Sequence, residues 1–411
     1  MALHLTSRRS THSVDAAAFT NPSGELVTQR RYGGGQDLTF VPNPLPPPPE
    51  IEQAAIASAG ALLADAEYWL GQLIGLGGVL HDANALAAPY IRHEAVRSSQ
   101  IEGTRTSLGE LAAFEAASDE PPPDSDARET LNYVTALDQG LSRMRDGGAI
   151  DAALLRDLHR TLMAGAGDEL RSAPGEFRNV QAYITAGGAV IYTPPPPGRM
   201  LDCLDNLFGY IDTRPEAPPL VEIAWTHYAF EAIHPFRDGN GRVGRILMPL
   251  LLARRRGLEH PLLYLSPYLF EHRQEYYDRL FAVSARSDWA GWLAFMLRAV
   301  ASQAQASVAT AQRLIAIEDE WRLRLEQAGA TPTALRLAPL IRRQSLAVTA
   351  PRAIGLLAGD GHPITPPTAY QAIADLERAG IVSEITGRVR GRIWLALELV
   401  DLLEGDADAA G

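Results

Sequence analysis

The sequence is most informative in the stretch Ile233-His234-Pro235-Phe236-Arg237-Asp238-Gly239-Asn240-Gly241-Arg242-Val243-Gly244-Arg245. Its three glycines allow the backbone to turn tightly and to bring N–H groups close to a bound anion. The apolar run that follows, Ile246 to Leu252, predicts that a helix begins near Asn240. The turn would therefore lie at the positive end of a helix, which favours a phosphate group.

The charged side chains of this stretch suit nucleotide chemistry. Arg242 and Arg245 are three residues apart on one helix face, so both guanidinium groups can serve phosphate oxygens. Asp238 beside a phosphate is repulsive unless a cation lies between them, which predicts a Mg²⁺ that bridges carboxylate and phosphates. His234 is the nearby side chain that suits a general base near neutral pH.

A plain connection between two helices is the alternative interpretation. It would consist of a Gly-Asn-Gly turn, surface arginines and a buried histidine, and a lone histidine or a lone Gly-x-Gly would favour it. Here a base, a metal-binding carboxylate, an anion-binding turn and two arginines fall within residues 234–245. Together they favour a nucleotide site.

Length and composition restrict the class of protein. The chain has 411 residues, of which 46% are apolar and 21% charged, as in globular proteins of roughly two to four domains. Cys203 is the one cysteine, which excludes an intramolecular disulfide framework and a cysteine-built zinc site. The most apolar long stretch contains Asp65 and Glu67, which a membrane-spanning helix rarely tolerates. We expect a cytoplasmic protein without membrane contact.

The pattern along the chain predicts a mainly helical protein. Apolar residues recur every three or four positions from Ile51 onward. Residues 181–193 are the exception, because two short β-branched and aromatic runs flank Gly187-Gly188 and predict a β-hairpin. The expected divisions are a Pro- and Gly-rich arm, a helical N-terminal region, a catalytic core, a connecting helix, a C-terminal module and an acidic tail, at residues 1–50, 51–120, 121–300, 301–330, 331–400 and 401–411.

The C-terminal module has the pattern of a winged helix. Thr365 is a suitable N-cap and Gly380 a suitable stop for the second helix of a helix-turn-helix. Residues 383–395 predict a two-stranded wing. Three arginines surround its tip: Arg388, Arg390 and Arg392. They favour DNA contact, whereas the net charge of −12 for the whole chain opposes it. Dimerisation and docking of a protein partner are the alternatives.

The glycine-rich stretch also resembles a family signature. The pattern His-Pro-Phe-x-Asp-Gly-Asn-Gly-Arg-x-x-Arg is complete in residues 234–245 and is typical of the Fic family. The resemblance covers roughly residues 40–300. It implies transfer of AMP from ATP to a Tyr, Thr or Ser hydroxyl of a target protein or of the chain itself. With the C-terminal pattern, the expected fold is all-α, mainly a helical Fic core, with a small β-hairpin flap and a C-terminal winged helix-turn-helix domain.

The resemblance implies a role for each residue of the signature. His234 would take the proton from the target hydroxyl, and Asp238 would hold Mg²⁺ on the α- and β-phosphates. Arg242 and Arg245 would hold the β- and γ-phosphates, and neighbouring backbone amides would stabilise the transition state. The expected nucleotide-binding residues of the signature are Gly239, Asn240, Gly241, Arg242, Val243, Gly244 and Arg245.

Features that flank the signature match the family as well. Residues 181–193 resemble its flap, which pins the target chain by strand addition so that the hydroxyl meets His234. The preceding Gly175-Glu-Phe-Arg178 also matches. Tyr277 would line the adenine pocket by stacking, with Tyr276 beside it. For Tyr276, an ordinary place in the hydrophobic core is an equal alternative.

A further match lies far upstream of the signature. Ser98-Ser-Gln-Ile-Glu102-Gly103 fits the inhibitory pattern Ser/Thr-x-x-x-Glu-Gly/Asn of many Fic proteins. In those relatives the glutamate pairs with the second signature arginine, here Arg245, and blocks productive placement of the γ-phosphate. Ser98 and Glu102 are four residues apart and share a helix face, as this role requires. An ordinary helix C-terminus is the alternative.

Three functions are consistent with these patterns. The first is an ATP- and Mg²⁺-dependent protein adenylyltransferase that Glu102 inhibits in cis. The second is a Fic-type enzyme that removes AMP or transfers another nucleotidyl or phospho-group. The third is a winged-helix regulator whose core only senses nucleotide. The expected partners are ATP and target proteins with an acceptor hydroxyl, and a second copy of the chain is a further candidate.

Overall fold

The chain folds mainly into helices, which confirms the expected fold class. A computed structural model describes residues 15–30, 35–79, 84–117, 125–165, 172–213, 218–258 and 262–405. The expected boundary at residue 120, the first fourteen residues of the arm and residues 406–411 of the tail lie outside these ranges. No helix within them is long and apolar enough to span a membrane.

The helices and strands of the described residues are numbered in chain order. The helices are α1 (Pro49–Ser58), α2 (Gly60–Val79), α3 (Asn84–Glu102), α4 (Leu108–Ala116), α5 (Ser125–Arg145), α6 (Ala152–Met163), α7 (Pro197–Thr213), α8 (Pro219–Ile233), α9 (Asn240–Arg256), α10 (Ser266–Glu271), α11 (Arg273–Arg286), α12 (Trp289–Gln327), α13 (Pro332–Gln344), α14 (Ala350–Gly359), α15 (Pro366–Arg378) and α16 (Leu397–Glu404). The strands are β1 (Gly24–Arg30), β2 (Gln36–Pro42), β3 (Ile184–Ala186), β4 (Ala189–Tyr192), β5 (Ala347–Val348), β6 (Ser383–Glu384) and β7 (Trp394–Leu395).

Helices α8 and α9 form the centre of the core. Helix α8 is apolar on all sides, as expected of a helix that other elements surround, and it packs against α7, α9, α11 and α12. Pro219 begins it, and the chain leaves it at His234 in the left-handed conformation. Helix α9 begins at Asn240, as predicted, and ends before Gly257, whose positive φ of 63° stops the helix.

A buried hydrogen-bond network fixes helix α3 against the core. Glu94 of α3 is 1% exposed and accepts hydrogen bonds from the hydroxyl of Tyr133 at 3.0 Å and from the N–H and hydroxyl of Ser266 at 3.0 and 2.6 Å. Burial raises the pKa of this carboxyl, and the same hydrogen bonds oppose that shift. Because Ser98 and Glu102 follow one and two turns later, the network also sets their position toward α9.

The N-terminal arm, expected at residues 1–50, contains a hairpin that the sequence did not predict. Gly24–Arg30 and Gln36–Pro42 pair as antiparallel strands. Phe40 of the second strand is 1% exposed, and its ring lies 5.9 Å from that of Tyr192. A tertiary contact therefore stabilises this hairpin, and the composition of the arm gave no sign of it.

The structure confirms the hairpin predicted at residues 181–193. Ile184–Ala186 pairs with Ala189–Tyr192 around Gly187 and Gly188, which both have positive φ. The sheet contains only these two strands among the described residues. We call this hairpin the flap.

The C-terminal module has the predicted helices and wing, and helix α16 extends it to Glu404, into the acidic tail expected at residues 401–411. Helices α13, α14 and α15 pack together, and the short strands form a sheet of order β5-β7-β6. Thr365 precedes α15, and Gly380 after it has a φ of 69°. The connecting helix expected at residues 301–330 is longer and begins at Trp289, because Asp288 caps it and its first turns are buried in the core.

Replacing Tyr133 with Phe tests the anchoring of α3. The variant loses the hydroxyl that donates to buried Glu94, so we expect the free energy of unfolding to fall by about 1–3 kcal/mol. Chemical denaturation measures this loss. Tyr68→Phe is the matched control because Tyr68 is 59% exposed, and its stability should not change. Equal stabilities of the two variants would contradict the anchoring role of Glu94.

Candidate active site

A cavity of about 860 Å³, counted to its open mouth, lies where α8, α9, α11 and the flap meet. The signature residues that line it are His234, Asp238, Gly239, Asn240, Gly241 and Arg245. Glu102, Tyr276 and Tyr277 line it as well, so the fold brings most of the expected site residues together. Ser98, Arg242, Val243 and Gly244 are not among the lining residues.

The imidazole of His234 is set for proton acceptance. The side chain is buried at 6% exposure, yet neither ring nitrogen has a protein partner of good hydrogen-bond geometry. Burial and the charge of Arg178 lower the pKa of His234 to about 4, against the opposing effects of Glu102 and of the backbone at Glu231. The ring is therefore neutral at neutral pH, as a base must be.

Arg178 holds the backbone that carries His234. Its buried guanidinium donates hydrogen bonds to the carbonyl oxygens of His234 at 2.7 Å, Ile233 at 3.3 Å and Pro195 at 2.5 Å. These bonds connect the end of α8 to the segment that follows the flap. The sequence match at Gly175–Arg178 pointed to this residue but not to its role.

His159 holds the signature loop from the other side, and the sequence analysis missed it. Its ring stacks on Phe236 with centroids 3.9 Å apart. The Nδ1 atom accepts the N–H of Gly175 at 2.9 Å, so Nε2 carries the proton and donates it to the carbonyl oxygen of Asp238 at 3.1 Å. Burial lowers the pKa of His159 to about 4 and keeps this tautomer neutral. In the sequence, His159 is a single histidine within an amphipathic helix, and that pattern did not indicate this function.

The N-terminus of α9 is open to an anion. The side chain of Asn240 exchanges hydrogen bonds with the N–H and carbonyl groups of Phe236 at 2.8 and 2.9 Å, which closes the loop before the helix. Gly239 is the N-cap with a φ of 74°, and no side chain caps the helix. The first N–H groups of α9 and the positive end of its dipole therefore face the cavity without a capping side chain.

Arg245 and Glu102 form an ion pair at the cavity wall. The guanidinium, 1% exposed, donates through Nη2 to Oε1 of Glu102 at 2.7 Å and to the carbonyl oxygen of Ser98 at 3.0 Å. Its Nε donates to the hydroxyl of Ser98 at 2.8 Å. Burial acts to raise the pKa of Glu102, but Arg245 and Arg242 lower it to about 2. A Cβ on Gly241 would lie 2.3 Å from Glu102 Oε1, so a larger residue here would displace the Glu102 carboxylate.

Arg242 is engaged away from the cavity. Its Nη1 donates to Glu129 of α5 at 2.5 Å, and its Nη2 lies 4.0 Å from Oδ1 of Asp238. The side chain is 4% exposed. Arg242 could contact a phosphate only if its guanidinium moved away from Glu129, or if the phosphate lay on the far side of Asp238.

The carboxylate of Asp238 suits a Mg²⁺ that is shared with phosphates. The side chain is 51% exposed at the cavity, and Oδ1 accepts the N–H of Gly239 at 2.7 Å. The described ranges contain no group of three His, Cys, Asp or Glu residues that could hold a metal. Mg²⁺ commonly binds one or two carboxylates and takes its remaining ligands from phosphates and water, so the single carboxylate fits.

Aromatic residues of α11 and Glu231 form another part of the lining. Tyr276 is 1% exposed and hydrogen-bonds Nε2 of His227 at 2.8 Å, so it belongs to the core and to the cavity wall at once. The guanidinium carbon of Arg273 lies 5.8 Å from the ring centre of Tyr277. Burial raises the pKa of Glu231 to about 8, with Arg245 opposing that shift. The sequence analysis did not select Glu231.

Comparisons with known proteins agree with this geometry. A family model described as Fic/DOC family matches residues 149–252, and one described as Fic/DOC family N-terminal matches residues 61–142. A solved structure of a Fic family protein from Desulfovibrio desulfuricans G20 has a similar fold, with a TM-score of 0.50 and 22% identity over 82% of this chain and 95% of that one.

Curated relatives match about half of the chain. A Culex quinquefasciatus protein named protein adenylyltransferase Fic is 29% identical over 46% of this chain and 36% of its own length. A Caenorhabditis elegans protein named protein adenylyltransferase fic-1 is 29% identical over 51% of this chain and 38% of its own length. The chain thus spans less than two fifths of each relative. The signature is complete and lies in a helical core, and residues 61–142 and 149–252 match the two regions of the Fic/DOC family.

Proposed function

We propose that the chain is a protein adenylyltransferase that transfers AMP from ATP to a hydroxyl group of a target protein. The observation that carries the proposal is the neutral imidazole of His234, whose ring nitrogens lack protein partners in a cavity that also contains the open N-terminus of α9. The names of the two curated relatives support the same activity.

The cavity offers a place for each part of the nucleotide. Phosphates would bind at the N-terminus of α9, with Arg245 available once it leaves Glu102. Tyr277 would stack on the adenine. Asp238 would hold Mg²⁺, which when bound neutralises phosphate charge and makes the α-phosphorus more electrophilic.

The residues of the chain account for the proton and the orientation of the reaction. A ring nitrogen of His234 takes the proton of the target hydroxyl as the hydroxyl oxygen forms a bond to the α-phosphorus. The bond from that phosphorus to the oxygen bridging to the β-phosphate breaks, and pyrophosphate leaves. Arg178, His159 and Asn240 hold the loop during the reaction, so that His234 and the amides of α9 keep their positions.

The flap is suited to hold the target chain. Ile184 and Ile191 line the same cavity as His234, and each strand of this two-stranded sheet leaves an outer edge among the described residues. An extended segment of the target would pair with such an edge and place its hydroxyl at His234.

The ion pair of Glu102 and Arg245 would inhibit the reaction. The Nε and Nη2 groups of Arg245 are engaged by Ser98 and Glu102, so these donors are not free for a γ-phosphate. ATP would then bind with its α-phosphate misaligned for attack, and phosphoryl-type transfer is sensitive to that alignment.

Replacing His234 with Ala should abolish transfer and leave ATP binding nearly intact, because the base acts on the acceptor hydroxyl. We expect labelling by α-labelled ATP to fall by about 10²–10⁴-fold. Calorimetric titration with ATP checks that binding remains. The control is His362→Ala, since His362 lies on the surface of the C-terminal module. Wild-type labelling by a folded His234→Ala protein would contradict the role of the base.

The protonation of His234 provides a second prediction. Because burial and Arg178 lower its pKa to about 4, the folded protein should keep this ring neutral down to about pH 5. Below that pH the ring is protonated and loses its function as a base. Proton NMR of the imidazole C–H groups, with His234→Ala to assign the resonance, measures the midpoint. A midpoint near 6.5 would show that the ring is solvated like a free histidine.

Removing the carboxylate of Glu102 should activate the enzyme. In Glu102→Gly the guanidinium of Arg245 becomes available to ATP, and we expect initial labelling rates to rise at least about tenfold. Glu102→Gln, which loses the charge and keeps the size, should give an intermediate rate.

Arg245→Ala separates release from phosphate binding. It removes the inhibitory partner together with the proposed phosphate contact, so the double variant of Glu102→Gly and Arg245→Ala should be as slow as Arg245→Ala alone. Unchanged labelling in Glu102→Gly would disprove inhibition by this pair and would leave the role of His234 standing.

A further inference from the structure

The C-terminal module packs directly on the segment that presents Glu102. Helices α13 and α16 of the module contact α3, and β5, β7 and α16 contact α4. Helix α3 therefore lies between the module and the catalytic core, since its other side packs on α5, α9 and α10. A domain attached only through α12 would not show this arrangement.

Three polar contacts join the module to this segment. Arg92 of α3 donates to the carbonyl oxygen of Gln344 at 3.0 Å, next to its ion pair with Glu115 of α4. Glu404 accepts the N–H of Leu108 at 3.1 Å, at the positive end of α4. At the other end of α4, the hydroxyl of Thr349 donates to the carbonyl oxygen of Ala116 at 3.1 Å.

The contact surface is also apolar and closely packed. Leu108, Leu111 and Ala112 of α4 are 0% exposed, and Leu395 of β7 is 5% exposed. A Cβ on Gly109 would lie 3.2 Å from Cδ2 of Leu395, so the strand lies close to the helix backbone. Burial of this kind gives the interface a large part of its stability.

The connection between the two helices places Glu102 at a hinge. Glu102 is the last residue of α3, and Gly103 after it has a φ of 109°. Ser107 then caps α4 through a capping box with Glu110. Because the module holds α4 at both ends and α3 at Arg92, it restricts motion on either side of this hinge.

We infer that the C-terminal module is the regulatory domain of the active site: by clamping α3 and α4 it keeps the carboxylate of Glu102 on Arg245, and its release weakens inhibition. The inference rests on the proposed function, because it concerns the inhibition of that reaction. It assigns the module a function within this chain that requires no contact with DNA. Energetic coupling of this type commonly changes an equilibrium by about 5–150-fold.

The test uses the full chain with the interface weakened from the module side. The double variant Leu395→Ala and Glu404→Ala removes one apolar and one polar contact and leaves every residue of the cavity in place. The matched control is Leu397→Ala with Glu377→Ala, since both of those residues are exposed on the same module. Hydrogen exchange and labelling by α-labelled ATP are measured on both.

We expect amide exchange in residues 98–104 to accelerate at least about tenfold in the interface variant, with no change in α9. Labelling should rise at least about threefold, in line with a partial loss of coupling. In the Glu102→Gly background the same double variant should add nothing, because the clamped carboxylate is gone. The control pair should behave as the wild type in each measurement.

Two outcomes would overturn the inference. Unchanged exchange in residues 98–104 would show that the module does not restrain the hinge. An equal rise of labelling in the Glu102→Gly background would show an effect that bypasses Glu102. If the Glu102→Gly variant gives no labelling, the proposed function is wrong. The hydrogen-exchange measurement then still tests whether the module restrains α3 and α4. If the double variant unfolds α9, Thr349→Val, which removes one hydrogen bond, replaces it and is judged by the same measurements.

Discussion

The site depends on the buried guanidinium of Arg245. A charge at 1% exposure is tolerated only where carboxylate and hydrogen-bond partners surround it, and Glu102 and Ser98 provide both. Since these partners come from α3, the position of that helix would determine, under the proposed function, whether Arg245 binds its own chain or a phosphate. The network of Glu94 fixes the helix in the middle, and the ion pair holds its end. The proposed inhibition and the stability of the folded site would thus use the same contacts.

The signature loop is held rigidly by hydrogen bonds. Nearly every polar group of its backbone is bound: Arg178 holds the carbonyl of His234, Asn240 holds Phe236, and His159 holds Asp238. These residues leave the imidazole nitrogens of His234 and the amides of α9 as the groups available to a ligand. Such an arrangement lowers the cost of reorganisation in a reaction, because the groups already stand where charge develops.

Helix α3 links the catalytic core to the C-terminal module. The core binds α3 on one face, and the C-terminal module binds it on the other. A helix held from both sides moves only when one side is released, and the hinge at Gly103 is where such motion would reach Glu102. The winged helix, which by its fold alone suggests DNA, packs in this chain on the segment that we propose to be inhibitory.

The sequence by itself determined the mainly helical fold, the hairpin at residues 181–193, the start of α9 at Asn240 and the set of residues from His234 to Arg245. These are local features, since caps, turns and periodicity act within a few residues. Tertiary structure decided which of two arginines reaches the cavity. Three residues advance a helix by about 300°, so Arg242 and Arg245 point about 60° apart, and Glu129 takes one of them. It also decided the role of His159, the place of Glu231 in the cavity wall, the hairpin held by Phe40 and the docking of the module on α3. Each of these depends on partners that are distant in sequence, and burial against such partners is not encoded in local spacing.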